Sequence, residues 1–349
     1  MTPTTVPPTV PATTVRTGPE SVLRRRSRRR RLAASIAVLS FLLTAASLFT
    51  GVSDVSPLAL WNGADEGRAV FLLAVSRVPR TLALVLAGAS LSIAGLIMQM
   101  LVRNKFVEPS TTGVTEFATL GMLTTMFLWP GAPVPARAAV AAGCGVFGTW
   151  VFLRVVRVVP VRQLVLVPLV GLVLGGVVGA VTTFFAYRAD LVQSLGQWSQ
   201  GSFAGIVPGR YEFLWIAAAM VVIAWIAADR FSVAGMGEAF STNLGLNHRR
   251  VVAVGMVVVA VITATVLVTA GTVPFLGLVV PNVVSLLVGD NVRRSLPWVA
   301  ALGAAFVLGC DVVARLVRFP YEIPLSVVVG VVGAGVFLWL LLRRGTRAH

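Results

Sequence analysis

The chain has 349 residues, 57% of them hydrophobic and 12% charged, with a mean hydropathy of +0.89; soluble domains run about 45–50% apolar and about 25% charged, so the composition argues against a water-soluble globule. The net charge of +16 would point to nucleic acid if the basic residues formed one face, but they fall between apolar runs and in one N-terminal cluster, so no nucleic-acid partner is expected. The two cysteines, Cys144 and Cys310, lie in apolar stretches and offer neither a disulfide framework nor a cysteine metal site.

In chain order, residues 1–31 divide into a Thr/Pro/Val stretch and an arginine run from Arg24 to Arg31 broken only by Ser27. Neither half can bury a core, and the segment is expected to be a disordered cytoplasmic tail. The run followed by apolar 32–52 has the form of a secretory signal. The apolar part is long enough to span, however, and many more such segments follow, which fits an uncleaved first helix better.

A bilayer core about 30 Å thick takes about 20 apolar residues per helix. That ruler predicts ten spans, at 33–52, 82–101, 114–129, 136–153, 163–185, 211–228, 251–270, 274–288, 297–314 and 323–342. The third and eighth are short and flanked by Gly or Pro, so they are expected to be tilted, broken or partly re-entrant and to lie inside the bundle. The division is a 1–31 tail, a 32–344 ten-helix membrane domain and a 345–349 cytoplasmic tail.

If the arginine-rich tail is cytoplasmic and the spans alternate, 21 basic residues fall inside and 8 outside, which puts both termini in the cytoplasm of a multi-pass cell-membrane protein. Four of the outside arginines form two pairs, Arg77/Arg80 and Arg315/Arg318. Outward positive charge opposes the orientation rule; it reads either as anchoring to membrane lipid or as a docking surface for an acidic partner.

No catalytic constellation is present. The histidines are His248 and His349, and the lone Lys105 lacks the glycine and hydroxyl of a phosphate-binding loop, so the chain is expected to hydrolyse no ATP itself, to be no enzyme, and to hold no metal or cofactor of its own. Asp311 and Glu116 are the carboxylates expected within the membrane, where they cost most. They read as a proton or cation relay, or more plainly: Asp311 is four residues from Arg315 and faces the same side, and Glu116 sits near a helix N-terminus, where the dipole favours it. The segment Asp229 to Arg250 is the longest polar stretch between spans on the expected inner side; it reads as a solvated connector or as a short surface helix inserting into a partner.

Several ordered motifs resemble the FecCD-type permeases, the membrane subunits of ABC importers for ferric siderophores, haem and vitamin B12. They are Ser76-Arg77-Val78-Pro79-Arg80-Thr81-Leu82, Gly88-Ala89-Ser90-Leu91 with Gly95, Gln99 and Arg103-Asn104, Trp198 to Gly205, Leu244-Gly245-Leu246 with Arg249-Arg250, Gly271 to Pro281, Asp311 to Arg315, and Glu322 to Leu325. The similarity covers about residues 35–344. It implies an all-α polytopic membrane protein of about ten transmembrane helices, a type II ABC importer permease bundle. The implied partners are a second permease copy or paralogue, two ATPase subunits that bind the ATP and magnesium, and an extracytoplasmic substrate-binding protein.

The resemblance further implies that Arg77, Arg80 and Arg315 face outward to meet glutamates of the binding protein, and that Gly237, Glu238, Ala239 and Gly245 contact the ATPase. Gln99, Asn104, Pro281 and Asn282 are the expected translocation-path residues. Three departures stand out. Asn104-Lys105-Phe106-Val107-Glu108-Pro109 replaces the usual Asn-Pro-Leu-Ala-x-Pro, Pro281-Asn282-Val283-Val284-Ser285 lacks the usual histidine and arginine, and Glu116 replaces a small residue. The expected function is import of a ferric siderophore by alternating access along a path of small and apolar side chains. The alternative is a proton-coupled secondary transporter using Asp311 and Glu116.

Overall fold

The computed structural model describes residues 19–50, 71, 73–158 and 166–345. Among these residues the secondary structure is helical throughout. The helices are α1 (Pro19–Phe49), α2 (Val78–Val102, entered through a π-helical turn, Leu73–Arg77), α3 (Val114–Leu128), α4 (Val134–Val156), α5 (Leu166–Arg188), α6 (Val192–Ser199), α7 (Leu214–Ile226), α8 (Ala228–Ala234), α9 (Glu238–Asn243), α10 (His248–Ala270), α11 (Leu276–Val288), α12 (Val292–Leu316) and α13 (Leu325–Gly345).

Each predicted span carries a helix. Six are long and apolar enough to cross a membrane; a seventh joins Tyr211–Ile226 to α8 through a 65° bend; and three apolar helices are shorter, Ala34–Phe49, α3 and α11. The first helix corrects one expectation. Rather than beginning after a disordered 1–31 segment, it starts at Pro19 and runs unbroken through the arginine run. Arginine is a good helix former, and extending an existing helix costs far less than nucleating one. Residues 1–18 and 346–349 lie outside the described residues.

Helix α2 is the hub, packed by α7, α10, α11 and α12. Its most apolar stretch is 78% buried, whereas those of α4, α5 and α13 are only 22–28% buried and form the outer shell. Glycine explains how the hub is reached. A Cβ on Gly95 would overlap the Gly277 backbone of α11, and one on Gly88 would overlap Gly303 of α12, so the backbones themselves touch. Without a hydrophobic force between helices in lipid, such close approach is how helices gain packing energy.

At the far end of α2, Arg103 adopts the left-handed conformation (φ 55°) and turns the chain back. Glu108 then lies against Gly277, which in turn touches Gly95, seven residues or about 10 Å in from the end of α2. The α2–α3 connection is therefore re-entrant. Helix α11, with 13 residues, is about 20 Å long and starts inside the bundle, as its flanking Gly and Pro residues predict.

Candidate functional site

A cavity of about 600 Å³ opens between α2, α3, α5, α6, α10 and the segment entering α11. Its wall combines small and apolar residues, such as Leu91, Gly179, Leu195, Val266 and Pro274, with hydroxyls and two carboxylates, Glu108 and Glu116; among the described residues no lysine, arginine or histidine lines it. The hydroxyls face inward chemically. Thr119, Thr182, Thr183 and Thr263 each donate to the carbonyl one turn back at 2.8 Å. Ser199 donates to Gly196 O, Thr272 to Ser199 O, and Ser110 to Glu108 Oε1.

The two carboxylates differ. Glu108 is 2% exposed, and it accepts from the backbone N–H of Phe275 at 2.8 Å (Oε1) and of Leu278 at 3.1 Å (Oε2). The first N–H groups of a helix have no intrahelical partner, and the N-terminal dipole favours negative charge. Glu108 thus caps α11 from another part of the chain. Glu116 occupies the first turn of α3, as the sequence predicts, and packs on Gly175 of α5. Its Oε2 is buried without a hydrogen-bond partner among the described residues.

At the end of the bundle where α2 begins, Asp311 (0% exposed) sits between two guanidiniums. Arg315 Nη2 donates to its Oδ2 and Arg80 Nη2 to its Oδ1 at 2.7 Å. Arg80 also grips Glu322 through Nη1, at 2.9 and 2.8 Å to the two oxygens. Arg315 Nη1 reaches the carbonyls of Ser47 and Thr50, at 2.9 and 2.8 Å, and Arg77 also donates to Thr50 O. These carbonyls belong to the last turn and end of α1, where orphan acceptors and the helix dipole attract cations. The i,i+4 pairing of Asp311 with Arg315 is as the sequence predicts. The outward display of Arg77, Arg80 and Arg315 is corrected, because they are 8%, 9% and 3% exposed and their donors are turned inward.

At the opposite end, Gln99, Asn104, Pro281 and Asn282 do come together, but as a joint and not on the cavity wall. Pro281 has no N–H, which orphans the Gly277 carbonyl one turn back; Gln99 Nε2 donates to that carbonyl at 3.2 Å. Asn282 Nδ2 donates to Lys105 O and Leu278 O, both at 2.7 Å, and Asn104 Oδ1 accepts from Phe106 N–H. Lys105 pairs with Asp290 at 2.6 Å. The expected path residues thus fasten the re-entrant loop to α11.

The connector between α7 and α10 also ends here, since Arg293 of α12 pairs with Asp229 of α8. Gly237 (φ 115°) and Gly245 (φ 76°) bracket α9 in conformations that favour glycine, while Glu238 and Ala239 are exposed at its start. Met236, Phe240 and Leu244, four apart, are 51%, 48% and 61% exposed, an apolar stripe that the sequence reading passed over. Glu108 was also missed as a site residue. Its signal is local: an acidic residue followed by Pro109 and by Thr111, whose hydroxyl accepts from the Glu108 N–H, which is the pattern of a helix start.

Residues 38–343 match the FecCD transport family. The petrobactin import system permease protein YclN of Bacillus subtilis is 44% identical over 88% of this chain and 96% of its own length. The petrobactin import system permease protein FatD of Bacillus anthracis is 40% identical over 88% and 90%. The vitamin B12 import system permease protein BtuC of Vibrio cholerae is 32% identical over 85% and 89%. Among solved structures, a metal-chelate type ABC transporter in an inward-facing conformation superposes with a TM-score of 0.74 at 22% identity, over 90% of this chain and 99% of that one, which places the fold.

Proposed function

The chain belongs to the FecCD transport family, and from that premise we propose that it is the permease subunit of an ATP-driven importer of ferric siderophores. The observation that carries the reading is the cavity walled by small, apolar and hydroxyl-bearing side chains beside a re-entrant loop and a half-length helix. Non-helical backbone at membrane depth is tolerated where protein or a water-filled cavity satisfies it. The relatives named for petrobactin import make ferric petrobactin the first cargo to test.

In this reading both termini are cytoplasmic, a second permease copy or paralogue closes the open side of the cavity, and two ATPase subunits bind ATP and magnesium below. Gly237, Glu238, Ala239 and Gly245, with the apolar stripe beside them, form the contact that receives ATPase motion. An extracytoplasmic binding protein docks at the Arg80 end. There Arg77, Arg80 and Arg315 hold the face together from within, and a carrier carboxylate reaches Arg80 by displacing Glu322. ATP binding closes the ATPase pair, and the bundle exchanges outward and inward openings.

The test is uptake of ⁵⁵Fe-petrobactin by vesicles holding this chain with its ATPase and carrier. Accumulation that needs ATP and the carrier, and that survives a protonophore, is the expected result. Accumulation without the ATPase that collapses with the proton gradient would establish the secondary-transporter alternative. The geometry weighs against Asp311 as a proton carrier in that alternative, because both its oxygens are held by arginines.

A further inference from the structure

Resting on the reading of the cavity as the cargo's path, we propose that the path selects cargo whose outer surface carries hydrogen-bond donors, ammonium groups above all, and that Glu116 sets this preference. Among the described residues, the wall holds two carboxylates and no basic side chain. Its hydroxyls, Thr115 apart, already spend their hydrogens on carbonyls or on Glu108, so what they have left to offer a solute is oxygen lone pairs. A cargo rim of carboxylates would meet acceptors almost everywhere; a rim of N–H groups would be received by them.

Glu116 is the group that converts this tendency into charge selection. Glu108 has its charge met by the N-terminus of α11 and both oxygens engaged. Among the described residues, Glu116 has no cationic partner and one oxygen has no donor. Its terminal torsion is soft and two-fold, so either oxygen can turn to the cavity. The N-terminal dipole of α3 supports its charge without neutralising it. A donor-bearing cargo passing this point supplies the bond that the protein leaves unmade.

The test reads the cavity's charge without needing the cargo. Thr119 lies one turn from Glu116 on the same wall, with Cβ atoms about 5–6 Å apart. In a Cys144→Ala/Cys310→Ala background, Thr119→Cys in phosphatidylcholine nanodiscs is treated with cationic MTSET and anionic MTSES, and the rate ratio is normalised to that of free 2-mercaptoethanol. With the two charges about 8 Å apart, one carboxylate shifts such a ratio by about sixfold at the dielectric of water, and by more at the lower dielectric of a protein cavity. The expected result is a normalised ratio of about 10 or more that Glu116→Gln lowers at least about fivefold and Glu116→Asp preserves; Ser199→Cys serves if Thr119→Cys does not fold. A ratio near or below one, a ratio unmoved by Glu116→Gln, or no reaction with either reagent overturns the proposal. Because labelling is measured on this chain alone, its failure leaves the import reading standing, and that reading fails only in the uptake assay.

Discussion

Arg80 and Asp311, 231 positions apart in sequence, are joined by a buried ion pair of 2.7 Å that ties the start of α2 to the last third of α12. Asp311 is shared with Arg315, and Arg80 with Glu322, so the pair is the centre of a chain of charges closing one end of the bundle. Removing one member of a buried pair leaves an uncompensated charge and costs about 3–5 kcal/mol. Asp311→Ala is therefore expected to lower the thermal unfolding temperature in detergent sharply. Arg80→Glu and Arg315→Glu should do the same before any docking defect can be read. If Asp311→Asn instead folds normally and abolishes uptake only when a proton gradient drives it, the structural role is wrong.

The bond from Gln99 to the Gly277 carbonyl exists because Pro281 supplies no N–H there. Gln99→Met is expected to cost about 1–3 kcal/mol, the range for a buried acceptor left unmade. In a Pro281→Ala background the restored N–H can take the same carbonyl, so the cost should fall by at least half. A double-mutant cycle by thermal unfolding checks this; additive effects would disconnect the two residues.

Glu108 serves two N–H groups of α11 at once. Glu108→Ala is expected to destabilise by about 1–3 kcal/mol, since it orphans the Phe275 N–H and leaves the Leu278 N–H only its 3.2 Å bond to Phe275 O, with Glu108→Gln intermediate because it keeps one acceptor oxygen. Hydrogen exchange at Phe275 and Leu278 should quicken in both variants. Unchanged protection there would show that the cap is not needed.

Glycine positions sort by contact. A Cβ on Gly303 would overlap Ser92 and the Gly88 carbonyl, whereas one on Gly176 meets nothing within 4 Å. Gly303→Ala should cost about 1–3 kcal/mol or prevent assembly of the bundle. Gly176→Ala should be neutral or gain up to about 1 kcal/mol from helix propensity. Melting curves of the two variants side by side decide the matter.

Phe240 and Leu244 are exposed, and their replacement removes no internal contact of consequence. Phe240→Asp and Leu244→Asp should leave stability within about 0.5 kcal/mol while lowering ATP-driven uptake more than about tenfold and weakening co-purification with the ATPase. Normal co-purification would remove this stripe from the contact.

Hydropathy made the spans legible, down to the short third and eighth, because burial in lipid is a property each segment carries by itself. The i,i+4 link of Asp311 to Arg315 was legible for the same reason: helix geometry alone brings the two together. The partners of Glu108 and Arg80 were not, since they lie 167 and 231 residues away and nothing local announces them. Arg77, Arg80 and Arg315 read as outward because counting charges by loop says nothing about the α1 carbonyls at their end of the bundle. The arginine run read as disordered because composition ignores a helix arriving from the apolar side.

The two backbone contacts of α2, at Gly88 and Gly95, are separated by seven residues, close to two full helical turns, which is why both partners can be met from nearly one side. Each residue added or removed between them would swing one glycine about 100° around the axis and drive a bulky neighbour into the vacated seam. Length variation in descendants of this gene should consequently be tolerated in the connections and purged from those two turns, making the interval between the glycines a stricter signature than the residues that fill it.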